Sequence, residues 1–265
     1  MEDFYMTNSN PTTTPWGISG STLKIIALVT MLTDHIGAAI LEPVLMQKAE
    51  SMHILWTSYS DLILIDKTLG TTYIAMRYIG RIAFPIFCFL LVEGFLHTRN
   101  VRRYAFRLLL FALISEIPFD LAFHHHLSCM DYQNGFFTLF IGLLVITALQ
   151  AVMTHMTEHI SLRILLCLIS IFSGMYFASL LNTDYGAMGV LTILLIYVFR
   201  NNRLHASTAA CLCLIAMNTI EATSLLCIPL ITHYNGKRGL QLKYVFYAFY
   251  PVHLLILYCI YRLLF

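Results

Sequence analysis

Residues 23–41 read LKIIALVTMLTDHIGAAIL, an apolar run of nineteen residues that holds three ionisable side chains. An α-helix needs about 20 such residues to cross the hydrocarbon of a bilayer, so this run predicts a membrane span. Six similar runs follow, at residues 78–96, 101–123, 135–153, 162–181, 186–199 and 244–264. Charged residues make up only 11% of the 265-residue chain, against about 25% in soluble domains. The sequence therefore predicts an all-α, polytopic membrane helical bundle and excludes nucleic-acid-binding modules and secreted disulfide scaffolds.

The placement of basic residues predicts the orientation of the helices, because cytoplasmic loops collect lysine and arginine. Cations follow the second and sixth runs and begin the fifth, at Arg99, Arg102, Arg103, Arg163, Arg200 and Arg203. The loops at residues 124–134 and 182–185 contain neither Lys nor Arg. This alternation predicts a cytoplasmic N-terminus, in a multi-pass protein of the inner (cytoplasmic) membrane.

One further apolar stretch, residues 204–232, is long for a single helix and short for two. The loop that follows it, residues 235–243, holds Lys237, Arg238 and Lys243 and is also expected in the cytoplasm. The stretch must then enter the membrane and return, as two short helices or a re-entrant hairpin. We therefore predict about nine membrane elements, with eight as the alternative.

The chain divides into a tail and one membrane domain. Residues 1–22 are polar and lack the basic start and cleavage site of a signal peptide, so they predict a cytoplasmic tail. Residues 23–265 form a single transmembrane domain. Within it, residues 42–72 hold Trp56, Asp61 and Asp66, which predicts an outer segment, with an interfacial helix as one form of it.

Two adjacent ionisable residues, Asp34 and His35, lie in the middle of the first run, where a charge costs a few kcal/mol. Lys24 precedes His35 by eleven residues, which returns to within roughly 20° of the same helix face at a rise of roughly 16 Å. We therefore expect Lys24 at the cytoplasmic rim and His35 deep in the bundle. The Asp34 side chain points about 100° away, toward an amine ligand or a basic residue of another helix. The alternative is an Asp–His pair that only holds helices together.

Ionisable residues four apart stack on one helix face, and three such pairs lie within or at the edges of the second and third runs. The pairs are Arg77/Arg81, Glu93/His97 and Glu116/Asp120. We expect Arg77 and Arg81 to meet Glu116 or Asp120 near the outer side of the membrane.

Three other groups of polar residues are candidates for a site. They are Asn134, Asp184 and Tyr185 on the predicted outer side, Asn235, Lys237 and Arg238 in the turn YNGKRG, and Tyr250 and His253 in FYAFYPVHLL. The turn suits an anion held by backbone N–H groups and cations, although a solvated turn fits equally. The run of three histidines at residues 124–126 lacks ligand spacing, so no metal site is predicted.

Seven motifs in register resemble the TraX family of conjugal-transfer membrane proteins, whose named member acetylates the N-terminus of pilin. They are LKIIALVTMLTDHIG, YIGRIAFPIFCFLLVEGFLHT, YAFRLLLFALISEIPFDL, QNGFFTL, TDYGAMGVL, YNGKRG and FYAFYPVHLL, and together they run from Leu23 to Leu255. The family in turn resembles membrane acyltransferases that use cytosolic acetyl-CoA. The spacing of Lys24 and His35 is similar to the basic-x10-His pattern of one such family.

The resemblance implies an acetyl-CoA-dependent O- or N-acetyltransferase of the lipid bilayer, with no metal and no nucleic-acid partner. The acceptor would be an amine or hydroxyl of a protein N-terminus, a glycan or a lipid, and the protein could act as a homo-oligomer. His35 would be the catalytic base, with Asp34 beside it. Residues expected at the acetyl-CoA site are Lys24, Arg99, Asn235, Lys237, Arg238, Tyr250 and His253. Residues expected at the acceptor site are Arg77, Arg81, Glu93, His97, Glu116, Asp120, Asn134, Asp184 and Tyr185.

The competing interpretation is a transporter or a pilus or envelope assembly scaffold without chemistry. Buried charges and proline-broken helices are also typical of transport sites. The hydropathy shows no inverted repeat, which favours the enzyme over the transporter.

Overall fold

A computed structural model describes residues 16–55, 58–155, 159–240 and 243–265, and within these ranges the chain is helical. Trp56, which the sequence places in the outer segment, lies outside the described residues. The helices are α1 Gly20–Ile36, α2 Glu42–Ser51, α3 Tyr59–Ile65, α4 Lys67–Gly80, α5 Ala83–Leu96, α6 Val101–Phe123, α7 Gly135–His155, α8 Ile160–Leu180, α9 Gly186–Val198, α10 Arg203–Met217, α11 Cys227–Thr232 and α12 Lys243–Leu264. A π-helical turn, Gly37–Leu41, joins α1 to α2, and a 3₁₀ helix, Thr219–Leu226, precedes α11.

Two long helices are formed where the sequence predicted shorter spans. The π-turn continues α1 directly into α2, so that Gly20–Ser51 is one helical unit of 32 residues. Asp66 caps the start of α4 by accepting from the backbone N–H groups of Thr68 and Leu69, and α4 runs almost without a break into α5. The resulting unit, Lys67–Leu96, begins eleven residues before the predicted second span. Much of the segment expected outside the membrane is therefore an extension of the first two spans.

The expected class, an all-helical membrane bundle, is confirmed in the described part of the chain. Five helical units there are long and apolar enough to cross a membrane: Gly20–Ser51, Lys67–Leu96, Gly135–His155, Ile160–Leu180 and Tyr244–Leu264. Three shorter apolar segments, Gly186–Val198, Arg203–Met217 and Thr219–Thr232, pack among them. The count of nine membrane elements remains a prediction.

The stretch at residues 204–232 forms a hairpin. Asn202 caps α10 through its side-chain oxygen, and Asn218 ends α10 and caps the 3₁₀ helix in the same way. The returning arm brings Tyr234 back to the start of α10, where the Arg203 guanidinium donates to the Tyr234 carbonyl and lies over its ring. The two arms therefore begin and end at the same end of the bundle.

The bundle has two distinct ends, which the loops define. At one end, the N–H groups of Gly20 and Ser21 donate to the carbonyls of Lys237 and Arg238, at 2.8 and 3.0 Å. This is called the basic end. At the opposite end, the loops at residues 124–134 and 182–185 join through an isolated bridge between Gln133 and Thr183. The sequence predicts that the basic end faces the cytoplasm.

The centre of the bundle is packed with aliphatic side chains from α5, α7, α9 and α10. Ile86, Leu143, Ile193 and Leu214 are all completely buried there. In contrast, α8 presents most of its apolar surface outward, which is the arrangement expected of a helix that faces lipid. Many of the ionisable side chains, among them Asp34, His35 and Arg81, line one cavity.

Candidate functional site

One cavity of about 1060 Å³ extends from the basic end of the bundle to the opposite end. Its size is at the upper limit of small-molecule pockets, which measure roughly 300–1,000 Å³. The ionisable side chains on its wall are Lys24, Asp34, His35, Glu42, Arg77, Arg81, Glu93, His97, Arg99, Arg107, His124, Asp184 and Arg238, with several tyrosines. Lys24 and His35 therefore face the same cavity, as their eleven-residue spacing predicted.

His35 is held from behind by a second histidine on the last helix. His35 Nδ1 lies 2.7 Å from His253 Nε2, and His253 Nδ1 lies 2.7 Å from the carbonyl oxygen of Phe249. A carbonyl only accepts, so His253 Nδ1 carries a proton. In a neutral imidazole the other nitrogen then accepts, which makes His35 Nδ1 the donor to His253. The remaining nitrogen of His35, Nε2, is left with its lone pair.

Aromatic rings surround the His35 imidazole. Phe123 and Tyr250 present their rings edge-on, with centroids 5.2 and 5.9 Å away. The His253 ring lies edge to edge with that of His35 and nearly in the same plane, with ring centroids 5.0 Å apart. These contacts fix the plane of the imidazole in the cavity wall. Tyr250 lines the cavity as expected of a ligand-binding residue, whereas His253 lies behind the wall and is only 5% exposed.

Asp34 pairs with two arginines and not with His35. Its carboxylate accepts from Arg77 Nη1 at 3.1 Å and from Arg81 Nη2 at 2.8 Å. Arg81 also donates to Glu221 Oε1 at 3.1 Å. Two carboxylates and two guanidiniums thus compensate one another in the interior, which is what buried charges require. Of the two alternatives left open for Asp34, the structure forms the ion pair with basic residues of another helix.

The expected partners of the two arginines were wrong. The carboxylates that bind Arg77 and Arg81 are Asp34 and Glu221, and neither Glu116 nor Asp120 is among them. The reason is that both arginines lie in the middle of the long helical unit Lys67–Leu96, near the break between α4 and α5. The 3₁₀ helix brings Glu221 to this break, where Thr223 also donates to the Tyr78 carbonyl.

Three residues expected at the acceptor site do not line the cavity. The Glu116 carboxylate accepts two hydrogen bonds from Asn134, one from its side-chain amide and one, at 3.3 Å, from its backbone N–H. The side-chain oxygen of Asn134 in turn accepts from the N–H of Phe136 and so caps the start of α7. Asp120 is 1% exposed and accepts from the backbone N–H of Cys129 at 2.8 Å. These side chains hold the loop at residues 124–134 against α6 and α7.

Four of the expected acceptor residues stay on the cavity wall at its two ends. At the opposite end, Asp184 accepts from the Tyr132 hydroxyl at 2.6 Å, and Tyr185 stacks on Phe84 with ring centroids 3.7 Å apart. Tyr185 adopts a left-handed backbone, with φ of 61°, that starts α9. Glu93 and His97 lie at the basic end, 3.8 Å apart, beside the residues expected to bind acetyl-CoA.

The basic end of the cavity carries three of the expected cations. Lys24 lies over the Phe246 ring at 5.2 Å, and Arg99 and Arg238 also line the wall. Lys237 and Asn235 do not. Asn235 donates to the Gly17 carbonyl at 3.1 Å and accepts from the Lys237 N–H at 2.9 Å, so this part of the YNGKRG turn is structural.

Sequence reasoning missed three charged residues of the cavity region. Arg107 lines the cavity beside Tyr104, 5.8 Å from the ring. Glu42 lines it too and accepts from the Tyr73 hydroxyl at 2.7 Å. Glu221 is 1% exposed and binds Arg81. Its charge within an apolar stretch was the signal that could have identified it. No cluster of three metal-ligating side chains exists among the described residues.

A helical bundle with five units long and apolar enough to cross a bilayer defines a polytopic membrane protein, and ionisable side chains line its cavity. The chain belongs to the TraX family, whose model, described as TraX protein, matches residues 19–261. The family expected from the seven motifs is thereby confirmed. The chain is also 32% identical, over 257 residues, to a Dichelobacter nodosus protein described as probable fimbrial assembly protein FimC, serogroup H1. That match covers 89% of this chain and 92% of the relative. No solved structure matches.

Proposed function

We propose that this protein is a membrane-embedded acyltransferase that moves an acetyl group from acetyl-CoA to an amine or hydroxyl acceptor. The observation that carries the proposal is His35, whose Nε2 lone pair is left free on the wall of a cavity that reaches both ends of the bundle. A neutral imidazole in such a place is suited to take a proton from an acceptor.

The donor would enter at the basic end. Lys24, Arg99, Arg107 and Arg238 are cations on the cavity wall, and the nucleotide part of acetyl-CoA carries several phosphate charges. The acceptor would enter at the opposite end, where Glu42 and Asp184 supply carboxylates and aromatic rings supply flat apolar surface. A protein N-terminus, a glycan and a lipid all present groups of this kind. The basic end would then face the cytoplasm, in the cytoplasmic membrane.

The reaction follows from these positions. His35 Nε2 takes the proton from the acceptor N–H or O–H as the acceptor atom bonds to the thioester carbon. When the intermediate collapses, the carbon–sulfur bond breaks, and His35 returns the proton to the departing thiolate. The products are the acetylated acceptor and the free thiol of CoA. Arg77 lines the same cavity, and its guanidinium is our candidate for stabilising the oxyanion.

This proposal can be tested by incubating membranes that contain the protein with acetyl-CoA that carries a radiolabelled acetyl group. We expect label in one of the protein, glycan or lipid fractions, and its loss in the His35→Gln variant. Thr33→Val is the matched control, because the Thr33 hydroxyl donates to the Val29 carbonyl of its own helix and does not line the cavity. Labelling that is equal in the wild type and in His35→Gln rules out acyl transfer by His35.

The second candidate function is assembly of fimbriae or of the cell envelope without chemistry. The Dichelobacter nodosus relative is described as a probable fimbrial assembly protein, which favours assembly more directly than acetyl transfer. The His35→Gln variant separates the two in the cell. A scaffold with normal membrane levels would still support surface appendages, whereas an enzyme whose product is needed for assembly would not.

A further inference from the structure

We propose that His253 is a positioning residue, which holds His35 in the tautomer that leaves Nε2 unprotonated toward the cavity. The backbone carbonyl of Phe249 does for His253 what a carboxylate does for the histidine of a hydrolase triad, because it fixes which nitrogen carries the proton. The effect of this tautomer on the rate of acetyl transfer rests on the proposed function, whereas the tautomer itself does not.

The need for such a residue comes from the chemistry of imidazole. A neutral histidine in water carries its proton mainly on Nε2, which would leave no base on the cavity side of His35. An acceptor placed against Nδ1 reverses this preference, because a buried N–H is costly to leave without a partner. His253 Nε2 provides that acceptor at 2.7 Å.

The geometry makes His253 a stable acceptor. Its Nδ1–H donates to the carbonyl one helical turn earlier in α12, and its ring stacks on Phe249 with centroids 4.9 Å apart. Tyr250 packs edge-on against it at 5.6 Å. His253 is 5% exposed and does not line the cavity, so it acts through His35 and not on a substrate. Its expected role in binding acetyl-CoA is replaced by this one.

Charges near His35 favour an uncharged histidine pair. Arg77 and Arg81 both lie on the neighbouring helical unit, Lys67–Leu96, and are compensated by Asp34 and Glu221. A proton added to either histidine would bring a further positive charge into this region without a carboxylate to pair with it. The neutral pair, with one shared hydrogen bond, avoids that cost.

The experiment uses the full chain in detergent micelles with ¹⁵N-labelled histidine, whose protonated and unprotonated ring nitrogens give distinct signals. Of the eleven histidines, His35 is assigned from the signals that the His35→Gln variant loses. We expect protonated Nδ1 and unprotonated Nε2 in the wild type and in His253→Gln, since the Gln amide oxygen can accept in place of Nε2. In His253→Leu, which offers no acceptor, we expect the protonated Nε2 form. Leu254→Met, at a buried neighbouring position, controls for altered packing of α12.

The same variants are then assayed with radiolabelled acetyl-CoA. We expect His253→Leu to lower kcat about fivefold to tenfold at unchanged KM for acetyl-CoA, with most of the loss recovered in His253→Gln. An unprotonated Nδ1 in the wild type, or a His35 tautomer that His253→Leu leaves unchanged, overturns the proposal. If the tautomer depends on His253 as stated but no variant transfers acetyl, the positioning role holds and the acyltransferase proposal fails.

Discussion

Gly80 and Asp34 face each other so closely that a β-carbon on residue 80 would overlap the Asp34 side chain. Glycine at this position lets the α4 backbone approach α1, and this approach brings Arg77 and Arg81 within reach of the Asp34 carboxylate. The buried ion pairs and the contact of the two long helical units therefore depend on the same missing side chain.

Gly80→Ala is expected to destabilise the protein by about 1–3 kcal/mol, the usual cost of overpacking a tight interior contact. Thermal unfolding in detergent measures this loss. Gly37→Ala is the matched control, because an added β-carbon there meets its nearest atom, Met76 Cβ, at 3.4 Å, close to ordinary contact. Equal melting temperatures for the two variants would show that the α1–α4 contact can relax without cost.

Arg81 and Glu221 are expected to be energetically coupled. Removing either partner leaves the other charge buried, and such losses commonly reach about 3–5 kcal/mol. We expect Glu221→Leu and Arg81→Met each to destabilise the protein, and the double variant to lose less than the sum of the two. A double-mutant cycle measured by unfolding in detergent should give a coupling of about 0.5–3 kcal/mol. Additive losses would mean that Arg81 is held by Asp34 alone.

Much of this architecture could be predicted from local sequence. The apolar runs gave the helices, and helical periodicity placed Lys24 and His35 on one face, which the structure turns toward the cavity. The charge of Asp34 left two alternatives, an amine ligand or a basic residue of another helix, and the structure shows the second. These inferences succeed because they depend on the geometry of one helix and on the cost of a charge in hydrocarbon.

Pairings between distant segments could not be predicted in this way. Glu221 lies 140 residues from Arg81, and His253 lies 218 residues from His35. Their contacts depend on how deeply each helix sits against the others, which is decided by packing and not by periodicity. Arg107 shows the same limit, because its position in the sequence does not reveal how deep in the bundle its side chain lies. The depth of its turn in α6 puts it on the cavity wall.

The orientation of the two ends can be tested by labelling introduced cysteines with a membrane-impermeant maleimide. The background is Cys129→Ser, because Cys129 lies in the loop at the opposite end. A cysteine at His126 should react in intact cells, and one at Arg238 should react only after the membrane is permeabilised. Both positions are exposed and lie at different ends of the bundle. Reaction at Arg238 in intact cells would reverse the predicted orientation and move the acetyl-CoA entrance.

Arg238 and Lys237 are neighbours in one turn, yet only Arg238 lines the cavity. If acetyl-CoA enters at the basic end, Arg238→Ala should raise its KM about tenfold, because a lost charge-assisted contact costs about 1.4 kcal/mol. Lys237→Ala removes the same formal charge from the same turn and should leave KM within about twofold. Initial rates of labelled acetyl transfer at several acetyl-CoA concentrations give the KM of each variant.

The measurement is repeated at two ionic strengths as a control. If the positive charge of the turn acted only through its long-range electrostatic field, the rise in KM would be equal in both variants and would shrink with added salt. Equal shifts in the two variants would mean that the cavity wall does not bind the nucleotide at this end, and the donor would then have to contact the surface of the turn.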